Sequence, residues 1–154
     1  MLGTAVQAAV PSTVQLVALR HAQLAIEDAQ AVERAVARER PELKVVNDQQ
    51  GRPTYAPDLA TALWKLVACD ARGTVHCANE GAATWFDVAK AAIEIAGLHT
   101  TVVPCSTADM PRPARRPQYS VLDCTRYQGI VGSQLRGWQA GLGEYVPINI
   151  LTPR

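Results

Sequence analysis

The sequence predicts an α/β fold. Short β-branched runs alternate with longer stretches of helical periodicity, and Gly or Pro marks the joins. The 154 residues are 48% hydrophobic and 19% charged, enough to bury the core of an ordinary domain. A formal net charge of +1 argues against nucleic acid as a partner. No apolar run approaches the length of a membrane span. The opening stretch MLGTAVQAAVPS lacks a positive n-region, so no signal peptide is expected.

The elements follow in order. VQLVAL, Val14 to Leu19, reads as a short buried strand. A helix capped by Asp28 follows, with Val32 and Val36 one turn apart and Pro41 as its stop. LKVV, Leu43 to Val46, is a second strand. NDQQGRPTYAPDLA comes next, a loop in which Gly51 is expected to permit a tight turn and Pro53 to fix the approach of Thr54 and Tyr55. Asp58 is expected to cap a helix carrying Leu59, Leu63, Leu66 and Val67 on one face.

TVHCAN is strand-like, with Val75 and Cys77 on one side. TWFDVAKAAIEIAGL is the clearest helix. Thr84 is its cap, Asp87 the partner acid and Gly97 its end, with Phe86, Ala89, Ile93 and Ala96 on one face. TTVVPC is a further strand, and the prolines of MPRPARRP forbid regular structure. A glycine-weakened terminal helix covers Leu135 to Val146. Trp64, Trp85 and Trp138 read as core or interface anchors rather than stacking platforms.

The four cysteines, Cys69, Cys77, Cys105 and Cys124, have neither CxxC nor zinc-finger spacing. They read as buried, reduced thiols of a cytoplasmic protein. His76 and Cys77 are adjacent and would point to opposite faces of a strand, so no metal site is expected.

Three ordered motifs carry a resemblance: VVNDQQGRPTYAPDLA, HCANEGAATWFDVAKAAIEIAGL and PRPARRPQYSVLDCTRY. From Leu43 to Val146 the chain resembles the C-terminal part of the dTDP-4-dehydrorhamnose reductases, which are extended short-chain dehydrogenases. The stretch MLG resembles the end of that family's glycine-rich fingerprint, and Val14 to Pro41 resembles its second strand and following helix. The resemblance implies two regions. Residues 1–42 would be a remnant of a Rossmann-like unit, and residues 43–154 a small mixed α/β substrate-domain portion. In the family a large block lies between these parts; here ARERPE, Ala37 to Glu42, joins them directly. An internal deletion or a misassembled gene would give the same junction.

The family reaction is NAD(P)H-dependent reduction of dTDP-4-dehydro-L-rhamnose to dTDP-L-rhamnose, which supplies cell-surface polysaccharide. Its catalysis needs a Tyr-x-x-x-Lys pair. The lysines here are Lys44, Lys65 and Lys90, preceded four residues earlier by Arg40, Thr61 and Phe86. No residue is therefore assigned as catalytic, and the chain is expected to be inactive by itself. Of the cofactor fingerprint only Gly3 remains, so NADPH or NADH is expected to bind weakly. The resemblance implies a dTDP-sugar ligand, with Gln49, Thr54 and Tyr55 as candidate contacts. Arg115 and Arg116 are candidates for a diphosphate, weighed evenly against a surface strap paired with carboxylates. Asp48 and Pro53 read as framework. A homodimer or a partner protein stays open. So does a non-catalytic binding or regulatory role, like that of the family's relative, the regulatory β-subunit of methionine adenosyltransferase.

Overall fold

The computed structural model describes residues 42–110 and 115–148. The predicted strand at Val14 to Leu19, the helix after Asp28 and the Gly3 remnant lie outside the described residues.

Strand β1, Glu42–Val46, pairs in parallel with β4, Thr101–Cys105, with Lys44 opposite Val103. A parallel pair needs a long crossover. That crossover carries helices α1, Ala56–Ala68, and α2, Trp85–Ala96. It also holds a second, antiparallel pair: β2, Gln50–Gly51, beside β3, Ala83–Thr84. After β4 come a 3-10 turn at Thr107–Asp109, helix α3 at Thr125–Val131 and helix α4 at Trp138–Val146.

Helix α2 forms as its sequence dictates. The Thr84 hydroxyl accepts from the Asp87 N–H at 3.1 Å, and the Asp87 carboxylate accepts from the Thr84 N–H at 2.8 Å. Two of the helix's orphan donors are satisfied reciprocally. Gly97 ends the helix at φ 62°, where a side chain would be strained. Ile93 is buried, with Phe86, Ala89 and Ala96 half-buried on its face.

Helix α1 departs from expectation. Tyr55, not Asp58, occupies the N-cap, and no side chain caps the helix. Pro57 in the first turn starts it instead, since its missing N–H would be an orphan there anyway. The buried positions are Ala60 and Ala62, whereas Val67 is 63% exposed. Small residues face inward because α1 packs against α3. That contact builds a core of Ala62, Tyr127 and Leu135, covered by Leu66, Val75, Cys77, Cys124 and Val131.

TVHCAN forms no ladder. Its inward side is the expected one, as Val75 and Cys77 both reach the core. Side chains meet a backbone group at each end of it: Thr74 O accepts from Arg126 Nη1 at 2.9 Å, and the Asn79 N–H reaches Thr54 Oγ1 at 3.3 Å. The terminal helix starts at Trp138 rather than Leu135, because Gly137 is its extended N-cap residue. Cys69 is exposed and the other three cysteines are half-buried, so the expectation of buried thiols is corrected.

Candidate functional site

The loop between β1 and α1 is fixed residue by residue. Both Asp48 carboxylate oxygens are used: Thr107 N donates to one at 2.9 Å and Thr107 Oγ1 to the other at 2.6 Å. These bonds hold the Asp48 carboxyl below the ordinary carboxylate range. Gln49 Nε2 donates to the same Thr107 hydroxyl at 2.9 Å. Gln50 is gripped by the segment that follows Arg116. Its N–H donates to Gln118 O at 2.7 Å, and its carbonyl accepts from Ser120 N at 2.8 Å and Ser120 Oγ at 3.0 Å.

This grip explains Gly51 differently from the sequence. Gly51 does not adopt a left-handed conformation. A Cβ there would instead lie 3.2 Å from Ser120 Oγ. Close approach of the proline-rich strap, not a tight turn, is what favours glycine.

The far end of the loop hangs on Asn79, which is fully buried. Its Oδ1 accepts from the Tyr55 N–H at 2.8 Å. Its Nδ2 donates to Asp58 Oδ2 at 2.8 Å and to Arg136 O at 2.9 Å. The Asp58 carboxylate, freed from capping, accepts from Arg136 Nε at 2.9 Å. Arg136 also pairs with Glu144 and lies 5.8 Å from the centre of the Tyr55 ring. Burial pushes the Tyr55 phenol up, and the Glu144 and Asp58 charges add to it. Helix α4 comes so near that a Cβ on Gly141 would sit 2.5 Å from Tyr55 Cβ.

Between loop, helix and strap lies an open cleft of about 400 Å³. Gln49 to Pro53 form one side, Ala83, Thr84, Trp85 and Val88 the second, and Arg116, Pro117, Ser120 and Leu122 the third. The three sequence motifs thus converge on one space. Among the predicted site residues, Gln49 and Arg116 line it. Thr54 and Tyr55 do not: the Thr54 hydroxyl donates to Arg52 O at 3.1 Å, and Tyr55 packs beside Arg136 and Gly141. Arg115 is exposed outside the lining. Trp85 is 52% exposed at the cleft, so it is no core anchor.

The lining carries two formal positive charges, Arg52 and Arg116, and no carboxylate. Its remaining walls are largely apolar: Pro53, Trp85, Val88 and Leu122. Such a space suits a ligand with one flat apolar part and one anionic part. Sequence reading missed Arg52 and Trp85. Arg52 looks like an ordinary loop cation between Gly51 and Pro53, and Trp85 like another buried aromatic.

Other chemistry is sparse. Among the described residues no group of three or more His, Cys, Asp or Glu is placed to hold a metal. Burial pushes the Cys77 thiol up to about 11, so it stays protonated and unreactive at neutral pH. Gly141 and Gly143 form a Gly-x-Gly pair inside α4, where backbone N–H groups already serve the helix. The described residues therefore do not fit the glycine-rich cradle of a dinucleotide.

The parallel strands and crossover helices define a mixed α/β domain whose structural neighbours are Rossmann-like reductases. A crystal structure of a dTDP-4-dehydrorhamnose reductase from Clostridium acetobutylicum superposes with a TM-score of 0.72 at 35% identity, covering 78% of this chain and 43% of that one. A Bacillus anthracis dTDP-4-dehydrorhamnose reductase, solved in complex with NADP, gives a TM-score of 0.66 at 34% identity, covering 75% of this chain and 40% of that one. In sequence, a Mycobacterium tuberculosis dTDP-4-dehydrorhamnose reductase is 41% identical over 118 residues, which is 75% of this chain and 39% of the relative. Residues 34–149 match the family described as the RmlD substrate binding domain. The chain belongs to that family. It spans less than half the length of the curated relatives it matches.

Proposed function

We propose that this chain is the substrate-holding part of a dTDP-4-dehydrorhamnose reductase system and binds a dTDP-linked 4-keto sugar in the cleft beside Trp85. The carrying observation is the lining itself: apolar walls, two arginines and no carboxylate. A nucleoside diphosphate supplies the matching ring and negative charge. In this assignment Gln49 and Arg116 meet the ligand, while Asp48, Thr54 and Tyr55 hold the wall in place.

The family chemistry passes a hydride from NADPH to a ketone as an acid delivers a proton. The 154 residues hold no Tyr-x-x-x-Lys pair for that acid. The described residues contribute binding, orientation and shelter from water, not the proton. The chain by itself is therefore expected to bind sugar nucleotide without oxidising NADPH.

Calorimetric titration with dTDP tests this, together with NADPH absorbance in the presence of dTDP-4-dehydrorhamnose. Saturable one-to-one binding with no steady NADPH loss is expected. Absence of dTDP binding at millimolar ligand, or turnover that survives repurification, would overturn the assignment.

A further inference from the structure

Arg52 belongs to two cavities at once. It lines the cleft, and it also lines a small polar chamber of about 90 Å³ with Glu80, Asp123, Thr125, Gln128 and Gln134. No other residue is common to both linings. Its Nε is buried, yet among the described residues nothing accepts its hydrogen. Buried guanidinium donors without an acceptor are uncommon, because a stripped donor is costly. The nearby Asp123 carboxylate feels the Arg52 charge but makes no hydrogen bond to its Nε, and Asp123 Oδ1 accepts from Thr125 N at 2.9 Å and from Thr125 Oγ1 at 2.6 Å.

Beyond Arg52 and Arg116, the cleft's polar lining is uncharged, and much of it already makes internal bonds. Gln49 holds Thr107, Ser120 holds Gln50, and Thr84 is committed to the Asp87 capping box. The first turn of α2 opens beside the cleft, but the Asp87 carboxylate lies at it, which disfavours a second anion there. Arg52 and Arg116 are what remain to meet negative charge.

We propose that Arg52 is a phosphate-binding residue of this cleft, taking the diphosphate of the sugar nucleotide from the loop side while Arg116 approaches from the strap. The proposal rests on the sugar-nucleotide assignment of the cleft. A guanidinium fork matches two phosphate oxygens at once, which an ammonium does not. The polar chamber behind Arg52 has room for water that bridges its inner face to Asp123 when the cleft is empty.

The test compares wild type, Arg52→Gln and Arg52→Lys, each titrated with dTDP and with thymidine, which has the ring but no phosphate. Thermal melts establish that the variants fold. Arg52→Gln is expected to weaken dTDP by about tenfold or more and leave thymidine unchanged. Arg52→Lys is expected to restore part of the loss. Inorganic pyrophosphate should compete with dTDP in wild type, and less well in Arg52→Lys, a comparison that stands even if Arg52→Gln does not fold. If dTDP affinity in Arg52→Gln stays within twofold of wild type, or pyrophosphate competes equally well in Arg52→Lys and wild type, Arg52 is not a phosphate-forking ligand, although the cleft assignment survives. If wild type binds neither dTDP nor pyrophosphate, the cleft assignment falls and this proposal with it.

Discussion

Replacing Asn79 by Leu keeps the branched outline of the side chain, adds methyl bulk and removes three hydrogen bonds at once. Their losses are unequal. Arg136 O keeps a second donor, the Glu80 N–H at 3.0 Å, and Asp58 Oδ2 keeps Arg136 Nε at 2.9 Å. The Tyr55 N–H keeps nothing, since Asn79 Oδ1 is its acceptor at the helix N-cap. One stripped backbone donor costs about 1–3 kcal/mol, and a lost bond to an ionised carboxylate about 1.5 kcal/mol more. Asn79→Leu should therefore destabilise the protein by about 3 kcal/mol. In urea, with a slope of about 2 kcal/mol/M, the midpoint should fall by about 1.5 M at unchanged slope. Asn79→Asp separates the contributions. It keeps an acceptor for Tyr55 but sets a second carboxylate against Asp58. One of the two carboxyls then titrates above its ordinary value, so its penalty is present at neutral pH and relieved as pH falls. A shift below about 0.5 kcal/mol for Asn79→Leu, or an Asn79→Asp penalty that ignores pH, would refute the view that Asn79 suspends the loop.

Further outcomes follow from the same geometry. Gly141→Ala should destabilise by about 1–2 kcal/mol, because the new methyl meets Tyr55 Cβ, which moves only with its backbone. Gly143→Ala should stabilise by up to about 1 kcal/mol, since nothing lies within 4 Å of its Cβ position; equal signs in thermal melts would count against the packing of α4 on the loop. The Asp48 clamp should persist as pH falls past 3.8, the ordinary Asp value, and be lost only below it, because the folded pKa is lowered. The Thr107 amide shift, followed by NMR, should titrate in that acid window. A fragment beginning at Pro41 should keep slow hydrogen exchange in α2, if residues 43–154 form a region that folds by itself. Unprotected α2 amides in that fragment would remove the two-region division.

What the sequence reveals depends on how local the determinants are. Helix α2 is legible because Thr84, Asp87 and Gly97 lie within it or at its ends, so its caps form whatever surrounds it. Strands β1 and β4 are legible as β-branched runs, although their pairing across more than fifty residues is not. TVHCAN misleads because a strand needs a partner, and Arg126 and Thr54 take backbone groups at its two ends instead. Helix α3 goes unread because it is seven residues long and contains Gly129, too short for a periodic signal. Asp58 looks like a cap, yet it serves Asn79 and Arg136, the latter seventy-eight residues away. The site divides in the same manner. Gln49 and Arg116 are visible in their motifs. Arg52 becomes conspicuous only when the missing acceptor for its Nε is seen in three dimensions.

The most direct test of a sugar-nucleotide cleft is an amide and indole NMR spectrum recorded as dTDP is added. Trp85 supplies an indole N–H at the cleft that neither Trp64 nor Trp138 shares. The account predicts saturable shifts of that indole and of the Gln49, Gln50, Arg52, Thr84 and Ser120 amides, with Arg126 and Gly132, which lie outside the cleft lining, unmoved. Shifts that leave the Trp85 indole untouched, or that gather around α3 instead, would contradict it.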